Sequence, residues 1–182
     1  MKDGIFFKQY PVCSAAHAAV ELTQHLLEKN ELQSKSIQKV ICEVPPLVAL
    51  SLIYDKPNNL EEARFSLPFA VGTMLASGQL GIENLTNEAL VNRRIQMEMS
   101  KVEMRRIDSL QDTKAPECAR ITLLTDDDRE LTGYLGEPMG MPSNPMSDDQ
   151  IHDKFMRCTA VGGMLSDQST TLLKHLATIE LA

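Results

Sequence analysis

The groups in this 182-residue chain that could do chemistry are scattered rather than gathered into one motif. Four histidines (His17, His25, His152 and His175) could each move a proton near neutral pH, but they stand isolated. A lone histidine on a helix is more often packed or solvated than catalytic. The run Asp126-Asp127-Asp128 could in principle hold a hard cation. No second acidic cluster accompanies it at ligand spacing, so it reads as a solvated turn. Cys13, Cys42, Cys118 and Cys158 form no CxxC pair, which argues against a zinc or iron–sulfur site and for reduced thiols. There is no phosphate-cradling glycine loop, no GxSxG elbow and no HExxH helix.

Whatever these groups do, regular elements must position them. Apolar residues at helical spacing (Ala15, Ala18, Ala19, Leu22, Leu26) predict an amphipathic helix from Ser14 to about Asn30, with Pro11 as its upstream boundary. Ser36 to Val44 is β-branched and roughly alternating, hence a strand, closed by Pro45-Pro46. Tyr54 to Asn59 is a loop. Asn59 then caps a helix, with Glu62 as its capping-box partner. That helix is expected to run to about Ser77, apolar on most sides and therefore buried, with a kink at Pro68 and an end at Gly78.

Two short helices follow, near Asn87–Val91 and Asn92–Ser100. Strands are then predicted at Lys101–Ile107, Ala119–Thr125 and Glu130–Leu135, the last two joined by the acidic turn. Gly136 to Pro145 is a connection rich in glycine and proline. Ser147 with Gln150 opens another capped helix, and a last helix is expected from about Asp167 to Leu181. Helices, strands, then helices imply one α+β domain over residues 1–182, with helices packed on a small antiparallel sheet.

Composition narrows the class. Hydrophobic residues at 43% and charged residues at 24% are ordinary for a folded globular chain. No apolar run approaches the roughly 20 residues of a membrane span, and the first eight residues lack a signal-peptide stretch. A membrane partner is not expected, and the localisation expected is cytoplasmic. A net charge of −7 argues against nucleic acid. It also means that any site for an anion must be a local patch of positive charge working against the overall field.

Four stretches then carry a resemblance. Lys8-Gln9-Tyr10-Pro11 is followed by His17, nine residues after the lysine. Tyr54 precedes Glu61-Glu62-Ala63-Arg64-Phe65-Ser66-Leu67-Pro68. Gly140-Met141-Pro142-Ser143-Asn144-Pro145-Met146-Ser147 comes next, and Lys154-Phe155 after it. In this order and spacing they resemble the C-terminal portion of the MmgE/PrpD family, metal-independent enzymes such as 2-methylcitrate dehydratase that act on small polycarboxylic acids. The sequence departs from the family where members often carry an arginine shortly after the K-x-[YF]-P segment: Val12 and Ser14 occupy that region. An arginine fork grips a carboxylate in a bidentate manner, and serine does not.

The resemblance implies a lyase or isomerase of the 2-methylcitrate dehydratase type, with no cofactor and no metal. It implies catalytic roles for Lys8, Tyr54 and His17, and substrate binding by Arg64 and Ser66. Lys8 would supply a cation. Tyr54 could donate a hydrogen bond or protonate a leaving hydroxyl, or simply pack its ring. His17 could orient a carboxylate or move a proton, or hold the first helix against the sheet. Arg64 and Ser66, two apart on the expected helix, point in different directions, so at most one faces the site directly. Family members are usually more than twice this length, and a helical domain supplies much of their acid–base machinery. The expected partners are therefore a small polycarboxylate substrate, a helical N-terminal half or second subunit, and further copies in a homo-oligomer. The alternative is a binding or assembly module that keeps the fold without the chemistry.

Overall fold

A computed structural model describes residues 5–110 and 115–179. After a 3-10 turn at Ser14–Ala16, helix α1 spans His17–Lys29. Strand β1 (Ile37–Val44) follows and buries Ile37, Val40, Cys42 and Val44, the alternation expected of a pleated strand with one core face. Pro45 and Pro46 do close this strand, but Pro46 also opens a short helix, α2 (Pro46–Ser51), that the sequence reading omitted. A proline at the first helical position lacks only an N–H that would have no partner there.

The expected single kinked helix from Asn59 to Ser77 is two helices. Asn59 caps α3 (Leu60–Ala63) through its side chain, and Ser66 caps α4 (Leu67–Ser77) by accepting the Phe69 N–H at 3.1 Å. Pro68 therefore kinks nothing. It lies in the first turn of a new helix, where its ring clashes with no preceding turn. Gly78 ends α4 as expected, in the left-handed conformation at φ 74°.

Helix α4 is buried from Leu67 to Ala76 and divides two cores. Leu67, Ala70, Val71 and Met74 join α1 and the sheet in the larger one. Phe69 and Ala76 join α5 (Asn87–Val91) and α6 (Arg93–Met99) in the smaller one. The approach of α4 to α6 is close: a Cβ on Gly72 would lie 2.8 Å from the Met99 amide nitrogen, so only glycine fits there.

The sheet has the order β2-β1-β3-β4, with β2 at Val102–Arg106, β3 at Ala119–Thr125 and β4 at Glu130–Leu135. Its β1–β3 and β3–β4 pairs are antiparallel as expected, whereas β1 and β2 run parallel (Val40 opposite Val102). The parallel pair is possible because helices α2 to α6 form the long crossover such a pair requires. The fold class is α+β. The acidic run is the β3–β4 turn, with Asp127 accepting from Thr125 and Arg129 and Asp128 at φ 61°.

Helix α7 (Asp148–Val161) begins with the capping box of Ser147 and Gln150, and α8 (Ser166–Leu176) packs back on it. No residue of α7 is buried, and in α8 only Ser169 is. The expected end of the last helix at Leu181 lies outside the described residues. No helix among them is long and apolar enough to cross a membrane.

Candidate functional site

The segment Phe6–Pro11 runs across the molecule between α1, the Gly136–Pro145 loop and α7. It is clamped on the loop side by the Phe7 N–H, which donates to the Gly140 carbonyl at 3.0 Å. On the helix side the Lys154 ammonium donates to the Lys8 carbonyl. Further along, the Cys13 N–H donates to the Arg64 carbonyl at 2.9 Å, which joins the segment to the link between α3 and α4.

These contacts frame an open groove of about 340 Å³, whose walls are Lys8, Tyr10, Pro11, Val12, Cys13, Arg64, Phe65 and Lys154. Three of the eight are cations drawn from three separate elements, and none is a carboxylate or an imidazole. On a chain of net charge −7 this is the local positive patch that an anion site requires. Arg64 is not buried, and its Nη1 is held by both oxygens of Glu61 at 3.0 and 3.3 Å. The pair is exposed and of small energetic weight, so the guanidinium is positioned without being locked away from a ligand. A second cavity of about 330 Å³ adjoins the groove through Pro11 and Lys154 and is bounded by Gln9, Asp149, Asp153 and Arg157.

The residues singled out from sequence divide. Lys8 and Arg64 line the groove together. Tyr54 is half-buried in the loop after α2; its N–H approaches the Phe65 carbonyl at 3.4 Å, which ties it to the groove wall. Ser66 is not on a continuous helix with Arg64. It is 1% exposed, and its hydroxyl is engaged as the cap of α4.

His17 is fully buried in the first turn of α1. Phe6 and Tyr10 pack edge-on against its ring, with centroids at 5.5 and 5.1 Å. Carbonyls of Val12 and Tyr10 lie near enough to favour a proton, yet neither ring nitrogen has a hydrogen-bond partner of good geometry. Burial dominates, helped by the ammonium groups of Lys8 and Lys154, and lowers the pKa to about 4. His17 is therefore neutral at pH 7; it packs on Tyr10, which lines the groove, and is not itself part of the lining. Burial, with a contribution from Glu21, likewise holds the Tyr10 phenol protonated far above the usual range.

The sequence reading assigned no binding role to Lys154 and did not single out Phe65 or Glu21. For Lys154 the signal was present, since it belongs to the Lys-Phe pair that follows the Gly/Pro segment. For Glu21 the signal was a carboxylate placed one turn from Ala18 on a helix face otherwise apolar.

Comparison with curated proteins gives no match. The family model for the MmgE/PrpD C-terminal domain matches residues 10–176, which span α1, the whole sheet, the groove-forming Arg64 and Lys154, and α8. The chain thus belongs to the MmgE/PrpD family and carries its C-terminal domain.

Proposed function

We propose that this domain grips the carboxylates of a small polycarboxylic acid as part of a metal-independent lyase or isomerase of the 2-methylcitrate dehydratase type. The observation that carries this reading is the convergence of Lys8, Arg64 and Lys154 on one groove. Removing a proton beside a carboxylate builds a dianionic, enolate-like state. Fixed cations and donors at such a site are worth roughly 2.7–4 kcal/mol each. Lys8 and Arg64 hold carboxylates in this scheme, Lys154 adds charge at the junction with the second cavity, and Tyr54, whose backbone meets Phe65 outside the groove lining, offers its phenol. His17 serves as a neutral support for the groove floor.

The groove lining contains no carboxylate or imidazole to act as the base, which favours a division of labour. The described residues bind the acid, and the base comes from a helical domain, in the same polypeptide or in another. Two exposed apolar surfaces fit docking to such a domain or to further copies in a homo-oligomer. One is Leu47, Leu50 and Ile53 on and after α2, with Leu50 71% exposed; the other is Leu165, Leu172, Leu176 and Ile179 along α8. A cytoplasmic setting accords with Cys13, Cys42, Cys118 and Cys158 all being unpaired thiols.

The same lack of a base supports the second reading, a binding module without chemistry. Assay of this chain with 2-methylcitrate, alone and mixed with a helical N-terminal domain of the family, separates the two. Turnover only in the mixture supports the lyase reading. Turnover by the described domain alone would refute the division of labour, and none in either case leaves the binding module.

A further inference from the structure

Glu21 is 5% exposed, on a stretch of α1 buried continuously from His17 to Thr23. One carboxylate oxygen accepts the Met139 N–H at 2.7 Å, joining α1 to the Gly136–Pro145 loop across 118 residues of sequence. Met139 precedes Gly140, whose carbonyl accepts the Phe7 N–H, and Phe7 precedes Lys8. The loop holds its own shape: the Gly140 N–H donates to the Asn144 carbonyl at 2.8 Å, and the Asn144 side chain to the Glu137 carbonyl at 3.2 Å. Gly140 has φ 96°, and a Cβ there would collide with the Phe7 carbonyl oxygen. Both facts restrict the position to glycine. The segment carrying Lys8 therefore lies directly on the loop's backbone.

We propose that Glu21 is a positioning residue that fixes Lys8 in the groove through this relay: carboxylate to Met139, Gly140 to Phe7, Phe7 to Lys8. A buried carboxylate accepting a backbone N–H makes a strong, directional contact. Here it determines where the loop sits, and the loop determines where the segment sits. The inference rests on the reading that Lys8 holds a ligand carboxylate, but its first test does not.

That test is NMR of the protein labelled at lysine 13Cε, with the Lys8 signal assigned by its loss in Lys8→Arg. Glu21→Ala, still folded by its remaining amide spectrum, should move the Met139 amide and the Lys8 signal together. Glu21→Gln keeps an acceptor and should leave Lys8 near its wild-type position. Gly140→Ala breaks the relay at a different link and should move Lys8 as Glu21→Ala does, which keeps the proposal testable if Glu21→Ala fails to fold. A Lys8 signal unmoved in the folded Glu21→Ala or Gly140→Ala protein would overturn it. The second readout is citrate affinity, expected to fall by about tenfold in Glu21→Ala and little in Glu21→Gln, as small misplacements of a positioned group do. If wild-type protein does not bind citrate, the ligand reading fails while the Lys8 signal still decides the relay.

Discussion

Helices α4 and α8 are each 11 residues long and lead opposite lives. α4 is buried from Leu67 to Ala76 and holds two cores together; α8 buries only Ser169 and leaves Leu172, Leu176 and the following Ile179 in contact with water. Both carry apolar residues in quantity. The difference is whether the chain supplies something to cover them. The sheet, α1, α4 and α6 share continuous buried cores, whereas the α7–α8 hairpin leaves its apolar face exposed among the described residues. The groove lies where the two regions meet, with Lys8 and Arg64 on the packed side and Lys154 on the hairpin.

The comparison breaks most visibly at Phe69. Phe69→Ala should cost about 3–5 kcal/mol, because it opens a cavity in the smaller core that α4, α5 and α6 share. Equilibrium denaturation measures it, and a loss below 1 kcal/mol would show that α4 is not the keystone described. A second, smaller effect is tied to pH. His17 has a folded pKa of about 4 against an ordinary 6.5, so in that window the unfolded chain takes up a proton that the folded chain refuses. Stability is full above pH 6.5 and falls as the pH drops, by about 3 kcal/mol by pH 4 at about 1.4 kcal/mol per unit. His17→Asn should lack this component of the slope; an unchanged slope would mean that His17 does not titrate abnormally.

The hairpin gives the smallest effect. Leu165, 69% exposed just before α8, can be replaced by alanine at a cost under about 0.5 kcal/mol, since the change removes little buried surface. Amide exchange should show α7 and α8 opening well before β1, β3 and α4. Equal protection in both regions would erase the distinction.

The sequence disclosed most of this scaffold. Alternation in Ser36–Val44 and the 3.6-residue period of α1 are direct consequences of burial on one face, so they could be read without coordinates. The split at Ser66 was harder, because Pro68 is consistent with a kink and with a helix start. The choice depended on whether the Ser66 hydroxyl turned to the Phe69 N–H. The parallel β1–β2 pair was hidden for a similar reason: partner strands are chosen by tertiary packing, not by local pattern. In the groove, Lys8 and Arg64 were readable through the resemblance, but Lys154 meets them only by folding of the hairpin. The burial of His17 was not legible, because the apolar period marks one face of α1 while the helix is buried on all sides from His17 to Thr23.

Isothermal titration of citrate into the wild-type chain, Lys8→Ala and Arg64→Ala addresses the groove most directly. The wild-type protein should bind, more weakly as salt rises, and each variant should lose about tenfold in affinity, the equivalent of 1.4 kcal/mol. Absence of binding by the wild-type chain, or equal affinity in all three proteins, would contradict the assignment of this groove to a polycarboxylate.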